Sequence, residues 1–397
     1  MNLDLIFAII FYGIIYILFL KYRKKFEVQN KIFVLYKTKL GLKLMDSFSK
    51  KYPRFLNILG YISIAVGLTG MIFIFYILVK GTYMLIIKPA STPVLSPVLP
   101  GIQIPGLPML SFWHWILSIL FIAVIHEFSH GVYARLADIK IKSSGFAFLG
   151  PILATFVEPD EKQMAKKPVK KQLAVLSAGP FSNILSGFII LLISIFLLSP
   201  IASSIIESKG VKIVEVTENY PLSKTNIKSG EIIKEINNIS IADTEDFVNA
   251  LNSFKPNDVI TIKTDKITEK VTLTGNPKNS SSPYLGVLVT PEKTDIKPEL
   301  KEKYTFLPGI FFWVITLIFW LYAISIGVGL FNLLPLGPID GGKIFYLISF
   351  VILKNKKKAK KAFKIISLIC LTLIFINLLP YIIKLISFIL TPVFALI

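Results

Sequence analysis

The chain has 397 residues, of which 53% are hydrophobic and 13% aromatic, and its mean hydropathy is +0.66. This composition is too apolar for an ordinary soluble protein and indicates a polytopic membrane protein. The formal net charge is +20, but most basic residues border hydrophobic segments, a distribution that argues against nucleic acid as a partner. The single cysteine, Cys370, excludes an intrachain disulfide.

The first candidate membrane span covers residues 3–20 and is interpreted as an anchor, because it lacks a basic leading region and a small-residue cleavage site. Residues 21–54 carry eleven Lys or Arg against two acids. Basic loops face the cytoplasm, so this segment is predicted to be cytoplasmic and the N-terminus external. The second span is predicted over residues 55–79. A proline-rich external or interfacial loop over 80–110 follows.

The third span starts at about residue 111 and contains His126-Glu127-Phe128-Ser129-His130, an H-E-x-x-H set. Residues four apart share one face of a helix, so the two histidines can ligate one zinc ion, with Glu127 beside them as general base. Ionisable groups in the hydrocarbon cost roughly 2.5–3.5 kcal/mol each, which favours a functional reason for them. The alternative is a helix whose polar face lines a water cavity or a helix contact.

Residues 141–157 are apolar but interrupted by Gly145, Gly150 and Pro151. We interpret them as a re-entrant hairpin or strand-like loop folded against the site, and a plain interfacial loop is the alternative. The polar residues 158–171 are predicted to be cytoplasmic.

The fourth span, residues 172–199, contains the run Ser177-Ala178-Gly179-Pro180-Phe181-Ser182-Asn183. Its small residues let another helix backbone approach closely, and Asn183 offers a buried polar contact.

From about residue 207 to residue 290 the composition becomes that of a soluble domain. Residues 201–304 hold fourteen Lys against fifteen Asp plus Glu, a balance that contrasts with the basic loops and places this region outside. The residue pattern predicts a small α/β module. Its predicted strands are 211–216, 232–236, 259–264, 271–274 and 284–289, and its predicted helix is 244–254.

The fifth span, residues 306–331, leads into Asn332-Leu333-Leu334-Pro335-Leu336-Gly337-Pro338-Ile339-Asp340-Gly341-Gly342. Proline and glycine at this density prevent a regular helix, and unwound backbone at membrane depth normally lines a cavity. Six lysines without an acid follow between residues 354 and 361 and mark the cytoplasmic face again. The sixth span is predicted over residues 362–389, interrupted at Pro380.

Catalytic zinc sites use three protein ligands and keep one position open for water. The acids deep within the apolar stretches are Glu127 and Asp340, whereas the others lie at the edges of these stretches. Asp340 is therefore predicted as the third ligand. The alternative for Asp340 is an ordinary turn or helix-start aspartate before two glycines.

These residues resemble the site-2 proteases, which are zinc-dependent intramembrane metalloproteases. The resemblance rests on the H-E-x-x-H set and on Asn332, Pro335, Asp340 and Gly341, which match the pattern N-x-x-P-x-x-x-x-D-G. The module between the two motifs resembles the PDZ domain that many bacterial and archaeal members carry. It does so through Ser229-Gly230-Glu231-Ile232-Ile233 and Tyr284-Leu285-Gly286-Val287.

The resemblance implies an endopeptidase that hydrolyses peptide bonds within or near the transmembrane segments of single-span substrates. It implies one zinc ion per chain held by the three predicted ligands, with Glu127 as the catalytic base. It also implies that Asn332 contacts the substrate or the developing oxyanion, and we expect the same of Asn183. The segment around Val157-Glu158-Pro159 looks like the family's loop that pairs with an extended substrate.

We therefore expect a polytopic α-helical membrane protein of about six transmembrane helices with an inserted extracytoplasmic α/β PDZ-like domain. The plasma membrane is its expected location, with the active site towards the cytoplasmic side. The expected divisions are 1–54 (first helix and basic segment), 55–200 (first part of the protease core), 207–292 (PDZ-like domain) and 306–397 (remaining core).

The expected partners are the substrates, the lipid bilayer, and a peptide or ectodomain remnant at the PDZ-like domain. We expect this domain to exclude large folded ectodomains rather than to capture a specific peptide. Two other classes stay open, a membrane metal transporter and a catalytically silent PDZ-bearing scaffold. Replacing Glu127 by Gln separates both of these classes from a protease, because transport or binding should tolerate the change and hydrolysis should not.

Overall fold

The structure is a computed structural model that describes residues 3–29, 33–88, 92–101, 107–149, 152–205, 210–277, 279–292 and 307–394, together with Lys297 and Leu300. The chain divides into two compact units, Met1–Ser194 with Val314–Ile397, and Ile195–Trp313. Among the described residues, six helices are long and apolar enough to cross a membrane. The predicted fold class, a polytopic helical protein with an inserted α/β domain, is confirmed.

Helices occur throughout the described residues. They are α1 (Leu3–Lys21), α2 (Leu42–Lys51), α3 (Pro53–Ile87), α4 (Phe112–Leu136), α5 (Glu161–Ala165), α6 (Val169–Ile193), α7 (Ser199–Ile205), α8 (Thr244–Asn252), α9 (Leu307–Phe331), α10 (Asp340–Leu353) and α11 (Lys356–Phe394). A π-helical turn, Ser194–Leu198, joins α6 to α7. The helix α10 was not predicted from the sequence.

Two predictions about the spans are wrong, namely the end of the second span and the interruption of the sixth. The helix α3 continues to Ile87 instead of ending at residue 79, because buried polar contacts tie its last turns to α11. There Asn377 Nδ2 donates to Thr82 Oγ1 at 2.7 Å, and Thr82 Oγ1 donates to Leu78 O at 2.8 Å. The helix α11 runs through Pro380 without interruption, since a proline in a membrane helix frees a single carbonyl that local adjustment can satisfy.

Two segments far apart in sequence form one antiparallel sheet in the first unit. Its strands are β1 (Phe26–Gln29), β2 (Phe33–Thr38), β3 (Ile141–Leu149) and β4 (Ile152–Pro159), in the order β1-β2-β3-β4. The strand-like interpretation of residues 141–157 is confirmed, although Gly150 and Pro151 lie outside the described residues. The strands β1 and β2 in the basic segment were not predicted.

Close helix contacts hold the membrane helices around α6. A Cβ atom at Gly67 of α3 would lie 2.6 Å from Ser177 Oγ of α6, and a Cβ atom at Gly187 would lie 2.7 Å from Ile326 of α9. Backbones approach this closely where side chains are small. Ser177 of the small-residue run therefore lies directly against α3, which agrees with the predicted close approach.

The second unit is a small α/β module. Its strands are β5 (Val211–Val216), β6 (Ile232–Ile236), β7 (Ile239–Ser240), β8 (Val259–Thr264), β9 (Thr268–Thr272), β10 (Thr274–Asn276), β11 (Asn279–Tyr284) and β12 (Val287–Pro291). The main sheet has the order β12-β5-β6-β8-β9, with β7 on β6, and β10 pairs with β11.

Three of the predicted module strands have the predicted bounds, namely β5, β6 and β8. The predicted strand 284–289 is wrong, because Gly286 adopts a φ of +74° and separates β11 from β12. A Cβ atom at Gly286 would lie 2.1 Å from Tyr220 Cβ, so a glycine is needed at this turn. The predicted strand 271–274 is likewise divided between β9 and β10.

Candidate metal centre and active site

His126, His130 and Asp340 meet in space, although 214 positions separate Asp340 from His126. Asp340 Oδ2 lies 3.0 Å from His126 Nε2 and 3.2 Å from His130 Nε2, and the two Nε2 atoms are 3.1 Å apart. The ligand atoms of a tetrahedral zinc ion with bonds of about 2.0–2.1 Å lie about 3.3 Å apart. The triangle therefore has the dimensions of one face of a zinc site.

Each histidine presents its second ring nitrogen to a fixed partner. Nδ1 of His130 donates to the carbonyl oxygen of Val175 at 2.6 Å, which leaves Nε2 free as a ligand. Nδ1 of His126 lies 3.1 Å from the amide nitrogen of Asn183. The amide oxygen of Asn183 is buried and has no hydrogen-bond partner among the described residues. If this amide is rotated by half a turn, its oxygen accepts a hydrogen bond from Nδ1–H of His126. Both histidines are then protonated on Nδ1.

The helix α6 passes directly behind this triangle at Gly179. A Cβ atom at Gly179 would lie 2.4 Å from His130 Nε2 and 2.6 Å from His126 Nε2. The missing side chain leaves open the space on which the ligand atoms converge. The donor set, the second ring nitrogens and this open space all fit a zinc ion held by three residues.

A tight loop between α9 and α10 delivers Asp340. The N–H of Gly341 donates to the carbonyl oxygen of Asn332 at 2.7 Å. A Cβ atom at Gly341 would lie 2.3 Å from Leu333 O, so the loop closes around a glycine. The helix α10 begins at Asp340, and the positive end of its dipole favours a carboxylate there. Asp340 is thus a helix-start aspartate and a member of the cluster at once.

Glu127 follows the first histidine on α4 and lines the same cavity. Its Oε2 accepts a hydrogen bond of 2.9 Å from the N–H of Val157 on β4. This bond fixes one carboxylate oxygen and leaves the other for a water molecule. Hydrogen-bonding directions alternate along an antiparallel strand, so the N–H groups of Thr155 and Leu153 also point away from β3.

The third histidine has a structural environment away from the cluster. His114 lies in the first turn of α4, where its backbone N–H donates to Ser111 Oγ at 3.4 Å. Its ring nitrogen Nδ1 lies 2.5 Å from the same hydroxyl. His114 therefore belongs to the cap of this helix.

A cavity of about 1050 Å³ surrounds the cluster. Its lining includes the three candidate ligands, Glu127, Asn332 and the last residues of β4. Charged residues from the polar segments also line it, namely Lys37, Lys142, Glu161 and Lys343. The lining thus extends from the buried cluster to charged groups on β2, β3, α5 and α10, which gives water a route to the site.

The two asparagines singled out in the sequence have different positions. Asn332 is half-buried and lines the cavity, which suits contact with a substrate. Asn183 is 1% exposed and faces His126. Close packing of α6 against α4 places it where it can orient this histidine.

Sequence reasoning missed three groups at the site, the Val175 carbonyl, the Val157 N–H and the backbone at Gly179. The first two are main-chain groups, which no residue type announces. Gly179 did leave a signal, because it belongs to the small-residue run that predicted a close approach.

The sequence profile of peptidase family M50 matches residues 114–377, which include both metal motifs. The chain belongs to peptidase family M50. An uncharacterized protein of Methanocaldococcus jannaschii is 31% identical over 369 residues, which cover 90% of each chain.

Other similar proteins carry protease names. A putative zinc metalloprotease of Clostridium acetobutylicum is 24% identical to this M50 chain over 320 residues, or 62% of this chain and 90% of that protein. The zinc metalloprotease RasP of Shouchella clausii is 21% identical over 235 residues, or 49% of this chain and 54% of that protein. The chain thus spans about half the length of RasP.

Solved structures similar to part of this M50 chain are PDZ domains. The PDZ domain of an SdrC-like protein from Listeria monocytogenes is 21% identical and covers 20% of this chain and 87% of that chain, with a TM-score of 0.19. The corresponding domain from Listeria innocua is 26% identical and covers 20% of this chain and 92% of that chain, also with a TM-score of 0.19.

Proposed function

We propose that this protein is a zinc-dependent intramembrane endopeptidase that hydrolyses peptide bonds within or near the transmembrane segments of single-span membrane proteins. The observation that carries the proposal is the meeting, in one cavity, of the His126, His130 and Asp340 cluster with Glu127 and the end strand β4. The two histidines lie on α4, a helix of membrane length. Membership of peptidase family M50 supports peptide hydrolysis as the reaction.

His126, His130 and Asp340 would hold the zinc ion, which when bound acidifies its water and polarises a peptide carbonyl. Glu127 has one carboxylate oxygen fixed by the Val157 N–H. Its other oxygen accepts a proton from the attacking water, and Glu127 then donates this proton to the leaving amine. The amide of Asn332 lines the cavity and can donate to the carbonyl oxygen as negative charge develops there.

The substrate must present an extended segment, because the carbonyl groups of a transmembrane helix are hydrogen-bonded within the helix. In the described sheet β4 is an end strand, so an extended segment can add to its outer edge. The outward positions of Leu153 and Thr155 are where it would pair. The next outward N–H, at Val157, is already bonded to Glu127. Pairing along this edge therefore leads the substrate backbone to the general base.

We place the protein in the plasma membrane with the cavity on the cytoplasmic side. The basic residues at the ends of the helices support this orientation, since positive loops stay in the cytoplasm. The near-neutral module between α6 and α9 would then be external. Water reaches the site, in this arrangement, past the charged residues that line the cavity.

The test is cleavage of single-span substrates by the purified protein reconstituted in lipid. We expect about one zinc per chain and cleavage that stops on chelation and returns with added zinc. Glu127→Gln should retain zinc and lose about 10²–10⁴-fold in cleavage rate, because it removes the general base and no ligand. His130→Ala should lose both zinc and activity.

Two outcomes would contradict the proposal. Undiminished cleavage by metal-free protein would exclude the zinc mechanism. Zinc flux into vesicles that persists in Glu127→Gln, with no cleavage by either protein, would favour the transporter instead.

A further inference from the structure

A second cavity, of about 150 Å³, lies where α3 begins, α4 ends and α6 begins. It is separate from the large cavity around the metal cluster. Tyr61 of α3 lines it, about 12 Å along the helix from Pro53 at a rise of 1.5 Å per residue. Since α3, α4 and α6 are all of membrane length, this cavity lies near the end of the helix bundle that carries the basic segments.

The polar part of the lining consists of cations and hydrogen-bond donors. Lys170, Lys171, Asn57 and Tyr61 supply it, and no acidic residue lines this cavity in the described part of the chain. The Nζ of Lys170 donates to the Tyr61 hydroxyl and lies 3.7 Å from the centre of the ring. An aromatic ring holds this ammonium without neutralising its charge, so the pocket keeps a positive potential.

The floor of the cavity is built from closely packed groups. Tyr133 of α4 is 7% exposed, and its hydroxyl donates to the carbonyl oxygen of Leu56 at 2.9 Å. A Cβ atom at Gly60 would lie 3.0 Å from the Tyr133 ring, so α3 and α4 touch here. Helix packing therefore fixes the floor of the cavity, whereas the exposed side chains of Asn57, Tyr61, Lys170 and Lys171 form its polar wall.

The remaining walls are apolar. Ile64 of α3, Leu136 of α4 and Ala174 of α6 line the cavity beside its cationic part. A cavity with ammonium groups on one side and aliphatic groups on the other suits an amphipathic anion. A free inorganic anion would use the lysines but would leave the aliphatic walls without a partner.

We propose that this cavity binds the phosphate-bearing headgroup of an anionic membrane lipid, with the beginning of its acyl chains against the aliphatic walls. Basic pockets between membrane helices on the cytoplasmic side recognise such headgroups. The lipid phosphate would accept from Lys170, Lys171 and the Asn57 amide. Exposed tyrosines such as Tyr61 are typical of the membrane interface. This assignment does not depend on the proposed protease activity.

The bound lipid would also support the metal cluster indirectly. Ala174 in the cavity wall precedes Val175, whose carbonyl accepts from Nδ1 of His130. A lipid that bridges α3 and α6 at this point would hold in place the turn of α6 that orients a candidate ligand.

The test uses the full chain in discs of phosphatidylcholine titrated with a fluorescent phosphatidylglycerol. The double variant Lys170→Gln with Lys171→Gln should bind the probe about 30-fold more weakly, from the loss of two lysine contacts near the membrane surface. The matched control is Lys360→Gln with Lys361→Gln, an equal charge change at exposed positions of α11. It removes general surface attraction and no contact of the cavity, so it should weaken binding of the probe clearly less than the cavity variant does.

Two further measurements separate the possible sources of the phosphate. Fluorescent phosphatidylcholine should bind the original protein and both double variants equally. Inorganic phosphate at matched ionic strength should not displace phosphatidylglycerol. Equally weakened binding of phosphatidylglycerol in both double variants would mean that the lysines act only by general surface attraction. The proposed lipid site would then be wrong. Full displacement of phosphatidylglycerol by inorganic phosphate would show that the cavity binds free phosphate and not a lipid.

Discussion

At the scale of single residues, the cluster depends on groups that orient the ligands as much as on the ligands. The Val175 carbonyl fixes the His130 ring and the Asn183 amide faces the His126 ring. Such partners set the tautomer that leaves Nε2 available to a metal. Asp340 completes the triangle from a loop whose close contacts only a glycine at position 341 permits.

Gly179→Ala tests whether the metal binds in the space between α6 and the two histidine rings. The added methyl group would lie 2.4 Å from His130 Nε2, so either the ring or α6 must move. We expect loss of bound zinc and of cleavage in a protein that remains folded, measured by metal analysis and circular dichroism. Gly327→Ala on α9 is the matched control, because a Cβ atom there meets nothing within 4 Å, and it should retain zinc. Normal zinc content in Gly179→Ala would show that the metal does not lie in this space.

At the scale of elements, the sheet joins the basic segment to the candidate active site. The strand β2 pairs with β3, and β3 pairs with β4, which holds Glu127 through Val157. Lys37 of β2 adds an ion pair of 2.6 Å to Glu27 of β1. A Cβ atom at Gly145 of β3 would lie 2.0 Å from Tyr36 O, so this approach of β2 and β3 depends on glycine. The hairpin is therefore braced along β3, the strand opposite the one that holds Glu127.

Proline substitutions in β4 test separately the two roles proposed for its outer edge, which are holding Glu127 and pairing with the substrate. Prolines are tolerated on edge strands where the lost N–H does not face a partner strand. Val157→Pro removes the donor to Glu127 and should lower kcat by about 10–100-fold, as is typical for loss of a group that orients a site. Thr155→Pro removes a donor from the proposed substrate edge and should mainly raise KM. The measurement is steady-state cleavage, with zinc content retained in both variants.

A different distribution of these effects would contradict the interpretation. An unchanged kcat in Val157→Pro would mean that the bond to Glu127 has no role in catalysis. An unchanged KM in Thr155→Pro would remove the outer edge of β4 as the substrate site.

At the scale of the whole molecule, the alternation of basic and neutral segments predicts the topology. The segments 21–54, 158–171 and 354–361 are predicted to be cytoplasmic, and the inserted module external. Labelling of single cysteines in a Cys370→Ser background checks this prediction in intact cells. Lys255→Cys in the module should react with an impermeant reagent, and Lys360→Cys should react only after the membrane is opened. The reverse pattern would invert the topology and place the cavity outside.

Deleting the module tests the prediction that it restricts access. It is connected in sequence to α6 and α9, the helices that carry Asn183 and precede Asn332. Replacing residues 209–290 by a short Gly/Ser linker should preserve zinc binding and cleavage of substrates with short external remnants. Substrates with large ectodomains should become newly cleavable. Loss of all cleavage in a folded, zinc-loaded deletion variant would mean that the module delivers or positions the substrate.

The sequence by itself determined the elements whose signals are local. Hydropathy gave the six spans, and α9 ends at residue 331, where the predicted fifth span ends. Alternation gave β5, β6 and β8, because the side chains of a half-buried strand repeat every two residues. The spacing of the two histidines gave one side of the metal cluster, because four residues make about one helical turn.

Only the tertiary structure decided which separate segments meet. Pairing of β2 with β3 joins residues more than a hundred positions apart, as in the bond from Thr38 Oγ1 to Ser144 O. The bond from Val157 to Glu127 and the place of Asn183 behind His126 arise in the same way. Main-chain donors and acceptors are the same for almost every residue type, so a sequence does not show where they point. Their directions are set by the packing of α4, α6 and β4 around one another.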